Sequence, residues 1–218
     1  MSKKIATKKL EKGLLLVIEG IDGAGKSTQV KMIVEKLKSK GYPVVSLHEP
    51  TDGVFGQQIR KMAIHGRKNV TVEEEFKLFV EDRVENVKFN IKPALEANKI
   101  VVMDRYYFSN IAYQGARGLN LEYIEKCNIE FAPEPDLLII LDIKPSVSLQ
   151  RIRQNREEGT NAFEKIKLLK QSREIFKSFS DRKYVKIIEN NDKRSPAAVF
   201  EDIWSIVETK LLTPKSEH

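Results

Sequence analysis

The sequence predicts an α/β fold in which a parallel sheet of five strands is covered by helices on both faces. Five short apolar runs recur along the chain, and longer segments with helical periodicity separate them. Apolar runs that do not alternate with polar residues are typical of strands buried on both faces, as in parallel sheets. No repeat or linker interrupts the 218 residues, which favours one domain. In such sheets ligands bind beyond the carboxyl ends of the strands.

The first third of the chain supplies two strands and one helix. Residues 14–20, LLLVIEG, form the first strand, and a helix with one apolar face follows it and stops at Gly41. The second strand covers residues 43–49. A glycine-punctuated segment then runs to Gly66 without a clear pattern.

The rest of the chain supplies a long helix, three strands and a final helix. The long helix covers residues 70–98, and Pro93 predicts a kink in it because proline has no N–H for the helix ladder. The last helix opens with Ser195 as N-cap and Pro196 at its first position. The three strands cover residues 99–104, 136–142 and 183–188.

The amino-acid composition limits the possible classes of binding partner but does not identify one. The net charge of +7 suits an anionic partner, whether nucleic acid, a membrane surface or a phosphorylated small molecule. Much of the excess lies in residues 1–12, which we expect to be a solvated basic tail before a single domain of residues 13–213. No apolar run approaches the roughly 20 residues that span a bilayer, so we expect no membrane partner. The single Cys127 excludes an internal disulfide and suits a reducing cytoplasm.

Residues 20–27, GIDGAGKS, match the pattern GxxxxGK[ST] between the first strand and the first helix. Glycines let the backbone curl so that consecutive N–H groups and the helix N-terminus point at phosphate oxygens. Lys26 would reach the β and γ phosphates, and the Ser27 hydroxyl would bind Mg²⁺. The alternative, a glycine-rich turn arising by chance, is weaker because both flanking elements are correct. We therefore expect a nucleotide to bind against Gly20, Ile21, Asp22, Gly23, Ala24, Gly25, Lys26, Ser27 and Thr28.

A phosphate-binding loop alone does not name a reaction, because GTPases, ATPases, helicases and small-molecule kinases share it. A GTPase should carry an N-K-x-D element, whereas residues 190–193, NNDK, have those letters in the wrong order. A motor ATPase is normally larger than this chain. The sequence therefore favours a small kinase whose acceptor must be read from other residues.

Asp104, Arg105 and Tyr106 follow directly where the third strand ends. A carboxylate at this place can hold Mg²⁺ and its hydration shell, and an arginine can bind an acceptor phosphate through two hydrogen bonds. The alternative is an ordinary surface ion pair. The position beside the phosphate-binding loop favours the functional interpretation.

Phe79 and Arg83 are four residues apart on the long helix and share a face. Phe79 borders the apolar stripe, so spacing alone favours a core role for its ring and a solvated position for Arg83. The alternative is a ring that stacks on a base while the guanidinium group binds the carbonyl of that base.

The chain is similar to the thymidylate kinase (dTMP kinase) family over nearly its whole length. The resemblance rests on the segments VIEGIDGAGKSTQ, EPTDGVFGQQIR, LFVEDRVENV, IKPALEANKIVVMDRYYFSNIAYQGARG, FAPEPDLLIILDI and LQRIRQNREE. It implies a P-loop kinase fold with a mobile lid at about residues 150–162, usually a homodimer, that phosphorylates dTMP to dTDP with ATP and Mg²⁺. One segment departs from the commoner bacterial pattern, because TDGVFG follows HEP where those members have two glycines and a threonine.

The resemblance implies a role for each residue of the acceptor site. The Phe79 ring would stack on thymine, and Arg83 would bond its carbonyl. Tyr113 and Gln114 would border the base and the sugar. Asp22 takes the acidic position that contacts the deoxyribose 3′-hydroxyl and the reacting region, for which the alternative is a turn-stabilising aspartate.

The resemblance also implies which arginines meet phosphate. Arg105 and Arg60 would bind the acceptor phosphate. The family has two arrangements of its catalytic arginine, and Gly23 excludes the one in the phosphate-binding loop. The other arrangement takes the arginine from the lid, where we favour Arg153. The lid offers three candidates: Arg151, Arg153 and Arg156.

This chemistry needs no general base, since a monophosphate acceptor is already an anion near pH 7. The three histidines, His48, His65 and His218, accordingly form no constellation. Two alternatives stay open: another nucleoside monophosphate or deoxynucleoside kinase, and a non-catalytic nucleotide-dependent binding protein. The basic residues form no stripe interleaved with aromatic ones, so we expect no nucleic-acid partner.

Overall fold

A computed structural model describes residues 8–66, 70–154 and 162–212. All strand pairs that it contains are parallel, in the order β2-β3-β1-β4-β5, which confirms the predicted fold class. Every residue of β1 is buried, so helices cover both faces of the sheet at its centre. The strands are β1 (Leu14–Glu19), β2 (Val44–His48), β3 (Ile100–Asp104), β4 (Leu137–Asp142) and β5 (Val185–Glu189).

Nine α-helices lie in the described part of the chain and pack around the sheet. They are α1 (Lys26–Ser39), α2 (Val54–His65), α3 (Val72–Asn86), α4 (Lys92–Glu96), α5 (Tyr107–Ala116), α6 (Leu121–Ile129), α7 (Pro145–Gln154), α8 (Ala162–Lys177) and α9 (Pro196–Val207). As predicted, α9 begins after Ser195, whose side chain accepts a hydrogen bond from the Ala198 N–H. None of the helices in this described part is long and apolar enough to cross a membrane.

Helix α2 occupies the segment in which the sequence showed only glycine punctuation. Gly53 is the N-cap of this helix and Gly66 its C-cap. Gly56 lies inside it, where a Cβ would stand 1.9 Å from the Thr51 carbonyl oxygen. Two of the three glycines therefore bound the helix, and the third allows close packing against the preceding turn.

The predicted long helix is interrupted before Pro93 by a π-helical turn, Val87–Ile91, which joins α3 to α4. Pro93 has no N–H to donate to the carbonyl group four residues earlier, and its ring would crowd that carbonyl. In the π-helical turn before the proline, the backbone hydrogen bonds join residues five apart in place of four. The irregularity is therefore a π turn spread over five residues.

The strand register brings the ends of the central strands together. Ile18 of β1 is aligned with Asp104 of β3, and Asp104 is aligned with His48 of β2. The loop after β1 therefore lies beside the end of β3.

Two residues of the predicted N-terminal tail contact the domain. The Lys8 N–H donates to the Gly41 carbonyl oxygen (2.8 Å), and the Lys12 side chain pairs with that of Asp136 (2.6 Å).

Candidate active site

The segment that follows β1 has the geometry of a phosphate-binding loop. Gly20 and Gly23 have φ angles of 139° and 74°, a region that residues with a Cβ rarely adopt. A Cβ on Gly20 would lie 2.5 Å from the Leu141 carbonyl oxygen, and one on Gly23 would lie 2.8 Å from that of Ser148. Both positions require glycine, and the loop leads directly into α1 at Lys26.

The side chain of Lys26 is buried and folds back over the loop. Its Nζ donates hydrogen bonds of 3.0 Å to the carbonyl oxygens of Gly20 and Ile21. Burial lowers the pKa of Lys26 to about 8, and the charge of Arg105 acts in the same direction, while nearby carboxylates oppose both. A bound polyphosphate would offset the desolvation of this ammonium group, so the arrangement suits an anionic ligand.

Ser27 and Asp104, the two predicted metal ligands, are in direct contact. The Ser27 Oγ donates a hydrogen bond of 2.5 Å to Oδ2 of Asp104. Among the described residues no cluster of three or more His, Cys, Asp or Glu side chains is placed to bind a metal ion. Mg²⁺ in kinase sites nevertheless takes few protein oxygens, because substrate phosphates and waters complete its shell. One hydroxyl and one carboxylate beside the loop suit that mode of binding.

Asp22 and Arg105 form an ion pair across the mouth of the loop, between Oδ1 and NH2. The NH1 group of Arg105 donates to the Ser109 Oγ (3.1 Å), and its Cζ lies 5.7 Å from the centre of the Tyr113 ring. The Tyr113 hydroxyl in turn accepts a hydrogen bond of 2.9 Å from the Asp22 N–H. Three residues predicted for the acceptor side are therefore assembled at one point.

The backbone of Arg105 is in the left-handed region, with φ 71°. This conformation costs a residue with a Cβ about 1 kcal/mol. The buried carboxylate of Glu19 accepts hydrogen bonds from the N–H groups of Tyr106 (2.7 Å) and Ser109 (3.0 Å). Burial raises the pKa of Glu19, and the charge of Arg105 opposes that rise. These contacts direct the chain from β3 into α5 and hold Arg105 toward the loop.

One cleft of about 1400 Å³ joins the loop to the ends of β2 and β3 and to α7. Ile21 and Ala24 are buried in the core below it. The four residues predicted to surround the base, Phe79, Arg83, Tyr113 and Gln114, are not among the described residues that line this cleft. The predicted residues that do line it are Asp22, Gly23, Gly25, Lys26, Ser27, Thr28, Arg60, Asp104, Arg105 and Arg151.

Arg60 lies at the edge of the cleft and holds the segment that departs from the commoner family pattern. Its NH1 donates to the Pro50 carbonyl oxygen (2.9 Å), and its NH2 donates to Oδ1 of Asp52 (2.7 Å). Thr51 is held from the other side by Asp82, whose carboxylate accepts bonds from the Thr51 N–H (2.8 Å) and hydroxyl (2.5 Å). The segment is thus fixed by an aspartate of α3.

Arg83 is buried, with 1% of its side chain exposed, so the solvated position that spacing favoured is wrong. Its Nε and NH2 donate to Oε2 of Glu49 at 2.8 and 2.6 Å. Its NH1 donates to the side-chain oxygens of Asn110 and Asn128, each at 2.5 Å. A carboxylate and two amides replace water around this charge, which is what a buried guanidinium group requires.

Of the other predicted base-binding residues, Phe79 lies on the same helix as Arg83, and Gln114 belongs to the hydrogen-bond network of Arg83. Phe79 is half-buried one helical turn before it, and its ring is not part of the hydrophobic core. Gln114 is buried, and its Oε1 accepts a hydrogen bond of 3.1 Å from Nδ2 of Asn110. Asn110 therefore links Arg83 to Gln114. Tyr113, the neighbour of Gln114, packs its half-buried ring against the core.

Of the three lid arginines, the structure describes the side chain of Arg151 only. Its NH1 lies 3.4 Å from the Gly23 carbonyl oxygen, and its NH2 lies 3.3 Å from that of Asn191. Arg151 therefore joins α7 to the phosphate-binding loop and to the loop after β5. The side chain of Arg153 and all of Arg156 lie outside the described residues.

Several residues of the site went unrecognised in the sequence. Two of them follow a readable signal, because Glu19 and Glu49 each place a carboxylate at the end of an apolar strand. Ser148 and Asn190 carried no such signal: their side chains donate to the loop carbonyls of Asp22 (2.5 Å) and Ala24 (2.6 Å) from far along the chain. The full set is Glu19, Glu49, Asn110, Asn128, Ser148 and Asn190.

Comparison with known proteins gives one consistent result. A family model described as "Thymidylate kinase" matches residues 18–203. A probable thymidylate kinase of Archaeoglobus fulgidus is 40% identical over 94% of this chain and 100% of its own length. A thymidylate kinase of Desulfotalea psychrophila is 48% identical over 77% of this chain and 82% of its own length.

A solved structure has the same fold. The crystal structure of thymidylate kinase from Ehrlichia chaffeensis superposes with a TM-score of 0.72 at 23% identity. The match covers 90% of this chain and 98% of that one. The P-loop kinase fold therefore extends over nearly all of the chain.

Proposed function

The chain belongs to the thymidylate kinase family, and we propose that it transfers the γ-phosphoryl group of ATP to dTMP in the cleft beside Lys26, with Mg²⁺ bound at Ser27 and Asp104. The observation that carries the proposal is the convergence of three pairs on that cleft. Lys26 lies over the loop, Ser27 contacts Asp104, and Asp22 contacts Arg105. The first two suit a polyphosphate and its metal, and the third suits a second anion.

The reaction joins two anions, and this determines what the protein must supply. The second pKa of a phosphate monoester is near 6, so the acceptor oxygen is already largely deprotonated at pH 7. A general base would add little. Catalysis rests instead on neutralising charge and on aligning the acceptor oxygen with the γ-phosphorus atom.

On the donor side, the loop and Lys26 bind the β and γ phosphates. Bound Mg²⁺ would neutralise charge on these phosphates. Its protein ligands would be the Ser27 hydroxyl, which now donates to Asp104, and the Asp104 carboxylate, directly or through water. Lys26 would leave the carbonyl oxygens of Gly20 and Ile21 for the stronger acceptors of a polyphosphate.

On the acceptor side, Arg105 is held by Asp22 until a phosphate competes for it. A dianionic phosphate offers Arg105 more charge than one carboxylate does, which would free Asp22 for the sugar 3′-hydroxyl. Arg60 reaches the same cleft from α2. The base would stack on Phe79 and receive a hydrogen bond from Arg83, with Tyr113 and Gln114 beside it.

A lid arginine completes the positive charge around the transferred phosphoryl group. We assign this role to Arg153. Arg151 is already engaged at the carbonyl oxygens of Gly23 and Asn191, which suits a residue that joins the lid to the donor site.

We also place the protein in the cytoplasm as a homodimer, in keeping with its family. Exposed apolar side chains on α2 and α3 support a second copy as partner, among them Val54, Ile64 and Val84, which are 66%, 77% and 37% exposed. Light scattering of the purified protein would give twice the chain mass of 25.0 kDa. A monomer mass would refute this part of the proposal.

The activity is tested by coupled detection of ADP release from ATP and Mg²⁺ with a panel of acceptors. The panel contains dTMP, dUMP, dCMP, dGMP, AMP and thymidine. We expect dTMP to be used with the highest kcat/KM. A preference for another monophosphate or for thymidine would assign a different kinase activity, and no turnover with any acceptor would indicate a binding protein.

A further inference from the structure

The buried network around Arg83 includes one residue that belongs to none of the motifs. Asn128 lies near the end of α6, its side chain is fully buried, and its Oδ1 accepts a hydrogen bond of 2.5 Å from NH1 of Arg83. Helix α6 contributes no other residue to the candidate site among those described. A buried amide directed at the base-binding arginine therefore calls for an explanation.

The hydrogen bonds of Arg83 leave it little freedom. A guanidinium group has five N–H donors, and four hydrogen bonds to described residues use its Nε, NH1 and NH2. With one hydrogen for each bond, a single N–H on NH2 remains. One face of the group also lies against the Tyr106 ring, 5.6 Å from its centre. The edge and one face of the Arg83 guanidinium group are therefore both held in place without a bound ligand.

The orientation of the Asn128 amide is itself fixed by its own helix. Its Nδ2 donates a hydrogen bond of 2.8 Å to the carbonyl oxygen of Ile124, one turn earlier. The opposite atom, Oδ1, must then face Arg83. A rotated amide would direct an N–H at the guanidinium group and leave two buried donors in contact without an acceptor.

Building on the proposed function, we propose that Asn128 is a positioning residue for recognition of the nucleobase. With Asn110 it holds NH1 of Arg83 from two sides, so that the remaining N–H of NH2 points in one direction, toward the carbonyl of the bound base. Glu49 supplies the charge that keeps the group buried. Without Asn128, one N–H of NH1 would lack an acceptor, and the guanidinium group could turn to satisfy it.

This role predicts a specific kinetic effect. Arg83 meets the base and not the transferred phosphoryl group, so a misplaced guanidinium group weakens binding of dTMP in the ground state and the transition state alike. Such a change raises KM and leaves kcat nearly unchanged. Preorganisation also lowers the entropic cost of binding, which acts in the same direction.

The test compares Asn128→Leu with Asn128→Asp in the full-length protein. Leucine keeps the volume and removes the acceptor, whereas aspartate keeps an oxygen that accepts from Arg83 and loses only the N–H that donates to Ile124. The exposed Lys126→Ala on the same helix is the control. We measure kcat, the KM values of dTMP and ATP, and the dissociation constant of dTMP by calorimetry. Asn128→Leu should raise the KM and Kd of dTMP about tenfold, with kcat and the KM of ATP within about twofold.

The proposal would be overturned by an unchanged KM and Kd for dTMP in Asn128→Leu, or by an Asn128→Asp variant as defective as the leucine variant. A parallel loss of dTMP binding, ATP binding and kcat would also overturn it, because it would indicate packing alone. Should the leucine variant not fold, the smaller Asn128→Ser, which does not reach Arg83, takes its place in the comparison. Wild-type protein that does not phosphorylate dTMP would instead refute the proposed function.

Discussion

The Oγ of Ser27 lies 2.5 Å from Oδ2 of Asp104 and so joins the first turn of α1 to the end of β3. This contact connects a loop recognisable from its sequence to a strand end some eighty residues later. It also places the Asp104 carboxylate beside the hydroxyl group that would bind Mg²⁺ in the proposed mechanism. The consequence can be measured.

Asp104→Asn should weaken the apparent affinity for Mg²⁺ about 10- to 100-fold, because an amide is a poorer magnesium ligand and outer-sphere partner than a carboxylate. Titrating Mg²⁺ at saturating ATP and dTMP would show it. Asp181→Asn, on an exposed turn, is the matched control. A wild-type Mg²⁺ dependence in the Asp104 variant would remove this residue from the metal site.

Lys26→Met should abolish turnover and also change how stability depends on pH. The pKa of Lys26 is lowered to about 8 in the folded protein, chiefly by burial, against 10.5 for an unperturbed lysine. Between these values the unfolded chain binds more protons, so the free energy of unfolding rises with pH.

Relative to Lys26→Met, the wild type should therefore gain up to roughly 3 kcal/mol as the pH rises from 8 to 10.5, and the difference should be flat below pH 7. Urea unfolding of the ligand-free proteins across this range would measure it. Equal pH dependence in the two proteins would mean that Lys26 is not desolvated. Residual phosphotransfer by the variant would contradict its role at the phosphates.

Arg105→Ala and Arg105→Gly separate charge from backbone strain. Both variants lose the guanidinium group, so both should lose at least about a hundredfold in kcat/KM for dTMP. Glycine adopts φ 71° without strain, whereas alanine does not. The glycine variant should therefore be the more stable by about 1 kcal/mol in thermal or urea unfolding. An alanine variant at least as stable as the glycine variant would argue against strain at this position.

Phe79→Ala should raise the KM of dTMP about tenfold or more, because stacking of a base on an aromatic ring contributes roughly 1–3 kcal/mol. The KM of ATP should stay close to its wild-type value. Phe89→Ala provides the control, since Phe89 is 63% exposed in the π turn that follows the same helix. Equal increases in both KM values would return Phe79 to a structural role.

Arg153→Ala should lower kcat at least about a hundredfold with little change in dTMP binding, as expected of an arginine that acts on the transition state. Arg151→Ala should chiefly raise the KM of ATP, because Arg151 contacts the donor loop. Single-turnover experiments separate these effects from product release. An unaffected kcat in the Arg153 variant would transfer the catalytic role to Arg151 or Arg156.

The sequence predicts the sheet and the loop well because both depend on local patterns. Five apolar runs define the strands, and the glycines of the loop occupy positions where Cβ atoms would collide with carbonyl groups such as that of Leu141. Helix α2 was missed for the converse reason, since Gly53 and Gly66 are its caps and punctuate the segment as a loop would. The sequence shows a glycine in either case, but it does not show whether that glycine belongs to a loop or caps a helix.

The environment of Arg83 was beyond local reasoning. Its partners come from the end of β2, from α5 and from α6, up to 45 residues away along the chain. Helical periodicity predicts a solvated position for a charged residue, because the local pattern does not show whether another element supplies a carboxylate to pair with it. Only the resemblance to a family indicated that Arg83 faces a ligand site, and the structure adds that the residue is buried with a partner for its charge.

The central claim is that ATP binds at Lys26 and dTMP binds at Phe79 and Arg83, with the two ligands end to end. A crystal structure with dTMP, Mg²⁺ and a non-hydrolysable ATP analogue tests it most directly. The account predicts the γ-phosphate within about 3 Å of the Lys26 Nζ and the thymine ring stacked on Phe79, with a carbonyl oxygen within about 3 Å of Arg83. A pyrimidine bound away from these two residues, or no polyphosphate beside Lys26, would contradict it.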